Sequence, residues 1–117
     1  MIKLETQLEQ IICKAIENHN TLWFYYESST GNYWRKVDPY ILAIKDNGRG
    51  NTFFTGYVHP SNERQQNRND NQGQYLLNKI DPDRFKILDE TFDKLELDYD
   101  KIFGELSTIE IICRVVF

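Results

Sequence analysis

Residues 25–42, YYESSTGNYWRKVDPYIL, predict a β-hairpin whose second strand bends. The run TLWFYYE (residues 21–27) is apolar on both faces, which is typical of a strand in the middle of a sheet. SSTGN has the composition of a turn. Pro39 cannot donate a hydrogen bond to a neighbouring strand, so it predicts a bulge or the bend at a barrel corner. The same strand carries Arg35, a charge where core packing favours an apolar side chain.

The rest of the chain predicts one helix and several short strands. Residues 3–19 place apolar side chains at spacings of three and four, as an amphipathic helix does. An Asn-Gly pair at residues 47–48 is a strong hairpin signal, and an Asp-Pro pair at residues 81–82 predicts a further turn. Further strands are predicted at residues 51–58, 74–80, 83–88 and 108–117.

This order of elements predicts a mainly β (α+β) fold. We expect an N-terminal helix followed by a small five-stranded β-barrel of the SH3 or Sm type, and then an acidic C-terminal segment. Residues 59–74 contain no apolar residue except a proline and are rich in Asn and Gln, which predicts a long surface loop.

Composition and charge limit the class of protein. A chain of 117 residues with 40% hydrophobic content is long enough for one domain with one core. It has no run of about 18 apolar residues, so no membrane-spanning helix is predicted. The formal net charge of −4 argues against sequence-independent DNA binding, which depends on neutralising phosphates. Seven acids and two lysines give residues 89–105 a net charge of −5, so the remainder carries +1.

Residues able to carry catalysis or to bind a metal are sparse. Cys13 and Cys113 stand one hundred positions apart, which predicts ordinary buried thiols in a reducing cytoplasm. His19 and His59 each lack a nearby His or Cys partner, so no metal site is predicted. The sequence has no glycine-rich phosphate loop and no nucleophile elbow. We therefore expect neither an enzyme nor a bound cofactor.

Four stretches, in their order along the chain, together resemble the WYL domain of bacterial transcriptional regulators. KAIENHNTLWFYYE (residues 14–27) resembles the family's entry, a helix followed by a strand that ends in tyrosine. WRKVDPYIL (residues 34–42) is similar to its Arg-x-Val-x-Pro-Tyr-x-Leu signature. TFFTGYV (residues 52–58) lies where the name-giving Trp-Tyr-Leu triplet falls, and QYLLNKIDPDRFKILDETF (residues 74–92) resembles the closing segment.

The resemblance implies a regulatory domain with an Sm-like barrel that senses a nucleotide or single-stranded nucleic acid through a small basic pocket. On this interpretation residues 1–20 lead into the barrel, residues 21–92 form it, and residues 93–117 are an acidic linker and the start of a C-terminal extension. The family usually carries a helix-turn-helix within a dimer. We expect no helix-turn-helix in this chain, and a homodimer or a separate DNA-binding domain as partner. The alternative is a protein-interaction or dimerisation module with a degenerate pocket.

The resemblance also assigns candidate binding residues. It implies that Arg35 contacts an anion, since a guanidinium meets two phosphate oxygens at once. Lys79 falls on a second cationic position. Aromatic candidates for stacking on bases are Tyr26, Trp34 and Tyr57. Two alternatives stay open from the residues alone: Arg35 pairs with Glu27 across the hairpin, and the aromatic side chains belong to the core.

The chain departs from the family pattern where that pocket is expected. Leu76 replaces the first arginine of the closing motif, and Lys79 replaces the second, which keeps the charge but loses the two-pronged geometry. Asn78 stands for an aspartate, and Thr52 for the tryptophan of the triplet. These departures predict a pocket that is cationic but weakened.

Overall fold

In the computed structural model, residues 4–29, 31–45, 51–59, 72–95 and 110–117 are described. Within these ranges the chain forms one α-helix, six β-strands and one 3-10 turn. They are α1 (Leu4–Asn18), β1 (Asn20–Ser28), β2 (Gly31–Ile44), β3 (Thr52–Val58), β4 (Gln72–Leu76), the 3-10 turn (Leu77–Lys79), β5 (Ile80–Thr91) and β6 (Glu110–Arg114). The described part of the chain contains no helix that is both long and apolar enough to span a bilayer.

The hairpin of β1 and β2 lies at the centre of the sheet. Its antiparallel register places Leu22 opposite Val37 and Phe24 opposite Arg35. The other edge of β1 pairs with β5, which confirms the central position predicted from its two apolar faces. Successive side chains point to opposite faces of a strand. The register therefore puts Phe24 and Arg35 on the same face, where both are buried.

β2 bends at Pro39. Its pairing with β3 shifts register between Pro39 and Ile41, which confirms the predicted bulge. Before the bend β2 pairs with β1, and beyond it residues 41–44 pair with β6. Gly56 lies opposite Pro39, and a side chain there would overlap the carbonyl oxygen of Asp38. The bend thus depends on a proline and a glycine facing each other across the ladder.

The prediction of a closed five-stranded barrel is wrong. The strands form a six-stranded sheet in the order β4-β3-β2-β1-β5, with β6 added to β2. Across the described ranges no ladder joins β4 to β5, the two ends of that path. The 3-10 turn separates these strands, and Ile80, which follows it, pairs with Tyr26 of β1 instead. The turn predicted at residues 81–82 lies within β5 and does not separate two strands, but the pairing of β5 with β1 shifts register between Ile80 and Phe85, and the Asp83 N–H donates to Oδ1 of Asp81 there.

The helix and the aromatic rings form the core. The predicted N-terminal helix is confirmed, and it packs against the sheet through the buried residues Leu8, Ile12, Ala15 and Ile16. It stops at His19, whose φ of 59° is left-handed. The ring of Phe24 meets those of Phe54 and Tyr75 edge-on, with centroids 5.5 and 5.1 Å apart. Edge-to-face pairs of this kind stabilise a core beyond the area that they bury.

The prediction of two free thiols is wrong. Cys13 on α1 and Cys113 on β6 form a disulfide, and their Cα atoms lie 5.7 Å apart. A separation of 100 residues gives no sign of this contact in the sequence. It arises because β6 adds to the edge of β2 that lies under the helix, so the first and last elements of the chain become neighbours.

Some predicted features lie outside the described residues. These are the hairpin turn at residues 47–48, residues 60–71 of the predicted loop, and residues 96–109 of the acidic segment. Beside the undescribed ranges β3 and β6 form where strands were predicted. β4 instead begins at Gln72, inside the predicted loop, and the 3-10 turn replaces the second half of the strand predicted at residues 74–80.

We expect Gly56→Ala to destabilise the domain, because the new Cβ would overlap the Asp38 carbonyl oxygen and force the bulge to move. Overpacking of this kind costs about 1–3 kcal/mol. Urea unfolding followed by circular dichroism measures the free energy of unfolding. The control is Gln74→Ala, an exposed position on neighbouring β4, which should change that free energy by less than about 0.5 kcal/mol. Equal stability of Gly56→Ala and the wild type would contradict the close approach at the bulge.

Candidate functional site

Arg35 is a buried cation whose hydrogen bonds are incomplete. The residue is only 8% exposed. Its Nη1 donates to the Trp34 carbonyl oxygen at 2.8 Å, but its Nε is buried and has no hydrogen-bond partner. The guanidinium lies 3.7 Å from the centroid of the Tyr33 ring, and this cation–π contact is its main interaction with another side chain in the described part of the chain. Tyr33 itself is partly exposed, so the ring beside Arg35 reaches the surface.

No described carboxylate neutralises Arg35. Glu27, the partner that the sequence alone suggested, is exposed and lies opposite Asn32 in the register, close to the turn of the hairpin. The ion pairs formed by described residues involve other cations. Buried charges in proteins are normally paired and fully hydrogen-bonded, because burial without a partner is costly. Within the described residues the site is therefore a positive charge without an acidic partner, beside an aromatic ring.

Tyr26 joins this cluster from the neighbouring strand. Its ring lies 5.9 Å from that of Tyr33, and its hydroxyl accepts a hydrogen bond from the Leu76 backbone N–H at 3.0 Å. Burial raises the pKa of the Tyr26 hydroxyl above its ordinary value, and the hydrogen bond from Leu76 opposes that rise. At 6% exposure Tyr26 ties the end of β4 to β1 and presents little surface to a ligand.

Lys79 lies at the end of the 3-10 turn and is partly exposed. An open cavity of about 490 Å³ lies beside this turn. Its lining includes Asn78 and two carboxylates, those of Glu27 and Asp81. Two acids make this cavity a poor anion site. Lys79 forms no ion pair with another described residue.

Trp34 faces away from Arg35 because adjacent residues on a strand point to opposite faces. Its ring stacks on that of Trp23, with centroids 5.0 Å apart and planes 11° apart, and meets the ring of Tyr25 at 5.4 Å. We call these three rings the outer aromatic face. The guanidinium of Arg84 lies 4.8 Å from the Tyr25 centroid. All three rings are partly exposed, which leaves them able to stack on further planar groups.

Tyr57 lies beside a polar network at the bend of β2. The ring of Tyr57 is 5.3 Å from that of His59. The Thr21 hydroxyl donates to Oδ1 of Asp38 at 2.7 Å, and Nε2 of His59 lies 2.9 Å from the same oxygen. Asp38 is 3% exposed, so these two contacts satisfy a buried carboxylate at the point where the strand turns.

The five predicted residues thus occupy four places. Tyr26 and Arg35 share one cluster through Tyr33. The other three lie apart, on the outer face, beside the bulge and on the 3-10 turn: Trp34, Tyr57 and Lys79. Sequence reasoning missed Tyr33 and the outer aromatic face. The period of two through TLWFYYE and NYWRK would have found both, since it separates Trp23 and Tyr25 from Phe24.

Comparison with known proteins finds a family and structural relatives. A family model described as "WYL domain" matches residues 7–69. Proteasome accessory factor B/C (PafBC) of Arthrobacter aurescens has a similar structure, with a TM-score of 0.62 and 19% sequence identity. The match covers 91% of this chain and 15% of that chain, so this chain spans a small part of the length of PafBC. No curated protein matches the sequence.

We expect Tyr26→Phe to lower the free energy of unfolding by about 1 kcal/mol, because the Leu76 N–H loses its acceptor. A raised pKa also means that the wild type loses stability as the pH rises above 10.0, where tyrosine in the unfolded chain ionises first. Urea unfolding at neutral pH and at about pH 10.5 measures both effects. The variant should lose less stability between the two pH values than the wild type does.

The matched control is Tyr25→Phe, which removes a hydroxyl from the residue before Tyr26, on the outer aromatic face. If Tyr25→Phe and Tyr26→Phe lose the same amount of stability at high pH, the assignment of the raised pKa to Tyr26 is contradicted.

Proposed function

This chain belongs to the WYL domain family, and from that premise we propose that it is a regulatory domain that binds a nucleotide or a single-stranded nucleic acid through an anion contact at Arg35. Membership of the WYL domain family and the structural similarity to PafBC support a regulatory rather than a catalytic role. The Thr21 hydroxyl donates to the carboxylate of Asp38, but both residues are buried, so this pair is not placed to act on a substrate.

One observation carries the proposal: the buried guanidinium of Arg35 has an Nε without a hydrogen-bond partner and, among the described residues, no carboxylate paired with it. An uncompensated buried charge destabilises a folded protein, so its retention calls for a use. A phosphate would supply the missing acceptor and the missing negative charge together. Arginine suits this task, because its fixed fork of N–H groups matches two phosphate oxygens.

The arrangement of the aromatic rings limits which ligands can use them. Arg35 and Trp34 lie on opposite faces of the sheet, so one nucleotide bound at Arg35 does not reach the outer aromatic face. Of the aromatic rings described at the site, a mononucleotide at Arg35 would therefore meet that of Tyr33 and not those of the outer aromatic face. Only a strand of several nucleotides that passes round the end of the β1–β2 hairpin would add stacking on Trp34. The length of the ligand thus decides whether the outer face takes part.

A second candidate function has its own observation. β6 pairs with β2 along one edge. Exposed apolar side chains lie within β6 and directly after it: Ile111, Ile112, Val116 and Phe117. Exposed apolar groups beside a strand edge favour contact with another chain. Leu76 at the position of an arginine and the acid-lined cavity fit a pocket that has lost its ligand. A protein-interaction or dimerisation module is therefore the alternative, and a homodimer its simplest form.

We expect a labelled single-stranded oligonucleotide to bind the wild type, and Arg35→Gln to weaken that binding about tenfold to a hundredfold, the loss expected for a charge-assisted hydrogen bond. Fluorescence anisotropy at about 50 and 200 mM salt measures the affinity. Two or three phosphate contacts predict a log–log salt slope of about −1.4 to −2 for a single strand. Lys14→Gln, which removes an exposed cation from α1, is the matched control and should leave the affinity nearly unchanged.

A parallel titration with a labelled mononucleotide separates the two ligand classes. Equal affinity for both ligands, lost in Arg35→Gln, would restrict the ligand to a nucleotide. Absence of binding by the folded wild type to either ligand would contradict the proposal and favour the interaction module.

A further inference from the structure

The disulfide between Cys13 and Cys113 joins two elements that are separate in the chain and adjacent in the fold. α1 carries one sulfur and β6 the other. Both cysteines are only partly buried, at the margin between the helix and the last strand. The carboxylate of Glu17 lies 3.6 Å from Sγ of Cys13 and is exposed. The bond therefore lies where a small solute can reach it.

Apart from this bond, β6 and the residues after it are attached to the described part of the domain by a short ladder, two polar contacts and the ring contacts of Phe117 with His19 and Phe92. It pairs with β2 through a short ladder over residues 41–44. Beyond the ladder, the Val115 N–H donates to the Tyr40 carbonyl oxygen at 2.8 Å, and His19 Nε2 lies 2.8 Å from the Val116 carbonyl oxygen. Val115 is the one buried core residue that the described chain supplies after Ile80.

The main core does not depend on β6. The buried side chains of α1 and of the strands β1 to β4 pack on one another and include the largest buried residues, such as Phe24, Phe53 and Phe54. Loss of the link between Cys13 and Cys113 would therefore release the strand without unfolding the domain. A segment held by few buried groups opens at a lower free energy than the rest of a protein.

We propose that Cys13 and Cys113 form a thiol–disulfide exchange site, and that their oxidation state controls the docking of β6 onto the domain. The oxidant is a small disulfide of the glutathione type. The thiolate of one cysteine attacks that disulfide to give a mixed disulfide and one small thiol. The thiolate of the other cysteine then attacks the protein sulfur of the mixed disulfide and releases the second small thiol. The two protons lost by the cysteines end on the two released thiols, and a dithiol reverses the sequence.

The proposal gives β6 two states. In the oxidised form the bond closes a loop of about 100 residues, which strongly limits the freedom of the open form. In the reduced form β6 is held without a covalent link, by the ladder to β2 and by the contacts of residues 115–117 with Tyr40, His19 and Phe92, so it separates more often. Its release uncovers the edge of β2 at residues 41–44, a ready site for another strand. This inference is independent of ligand binding at Arg35.

The test compares the folded full chain after treatment with oxidised glutathione and after treatment with dithiothreitol, without denaturant. Alkylation and intact-mass measurement count the free thiols, and amide hydrogen exchange reports on β6. We expect no free thiol after oxidation, two after reduction, and exchange at residues 111–115 at least about tenfold faster in the reduced form. Exchange at Phe24 and its neighbours in β1 should not change.

Cys13→Ser and Cys113→Ser are matched controls, since each removes the bond and leaves one thiol. In both variants β6 should exchange as in the reduced wild type, with or without reductant. The proposal is overturned if the bond resists dithiothreitol until the protein is denatured, if two thiols persist after oxidation, or if β6 exchanges equally in the two forms.

Discussion

The register of the β1–β2 hairpin is the constraint on which the rest of the structure depends. It places Phe24 opposite Arg35 and Tyr26 opposite Tyr33 on the core face, and so fixes both the aromatic core and the buried charge. A slip of one residue would exchange the two faces, burying Trp34 and exposing Arg35. Each end of the hairpin reinforces this register. At the turn, the Ser28 hydroxyl donates to the Gly31 carbonyl oxygen. At the other end of the hairpin, the buried carboxylate of Asp38 accepts a hydrogen bond from the Thr21 hydroxyl.

Local features of the fold could be predicted from the sequence because they have local causes. The apolar spacing of residues 8–16 and the two apolar faces of β1 follow from which side chains must be buried. The bulge follows from the missing N–H of Pro39. Closure of the sheet and the disulfide depend instead on how distant elements meet. No local feature of the sequence shows whether β4 pairs with β5 or is led away from it by a 3-10 turn. In the same way, no local feature shows whether Cys113 is free or lies beside the helix and bonds to Cys13.

For the candidate site, too, the features with a local cause could be predicted from the sequence and those that depend on distant elements could not. Arg35 was identifiable because a charge in a strand with apolar neighbours is anomalous, and the structure adds that no described acid pairs with it. Its partner Tyr33, two residues earlier on the same face, could have been read from the alternation. The positions of Lys79 and Tyr57 relative to Arg35 could not, because they depend on the 3-10 turn and on the bend at Pro39. Resemblance identifies residue types at a site, whereas the bends of the chain decide which of them meet.

We propose that Arg35 binds a ligand and does not stabilise the fold. Equilibrium unfolding of Arg35→Met in the absence of ligand tests it most directly, since methionine fills a similar volume without a charge. If the account is correct, the variant is as stable as the wild type or more stable, because a buried guanidinium with an unsatisfied Nε is removed. A loss of more than about 2 kcal/mol in the free energy of unfolding would contradict it, and would make the contact of Arg35 with Tyr33 a structural one.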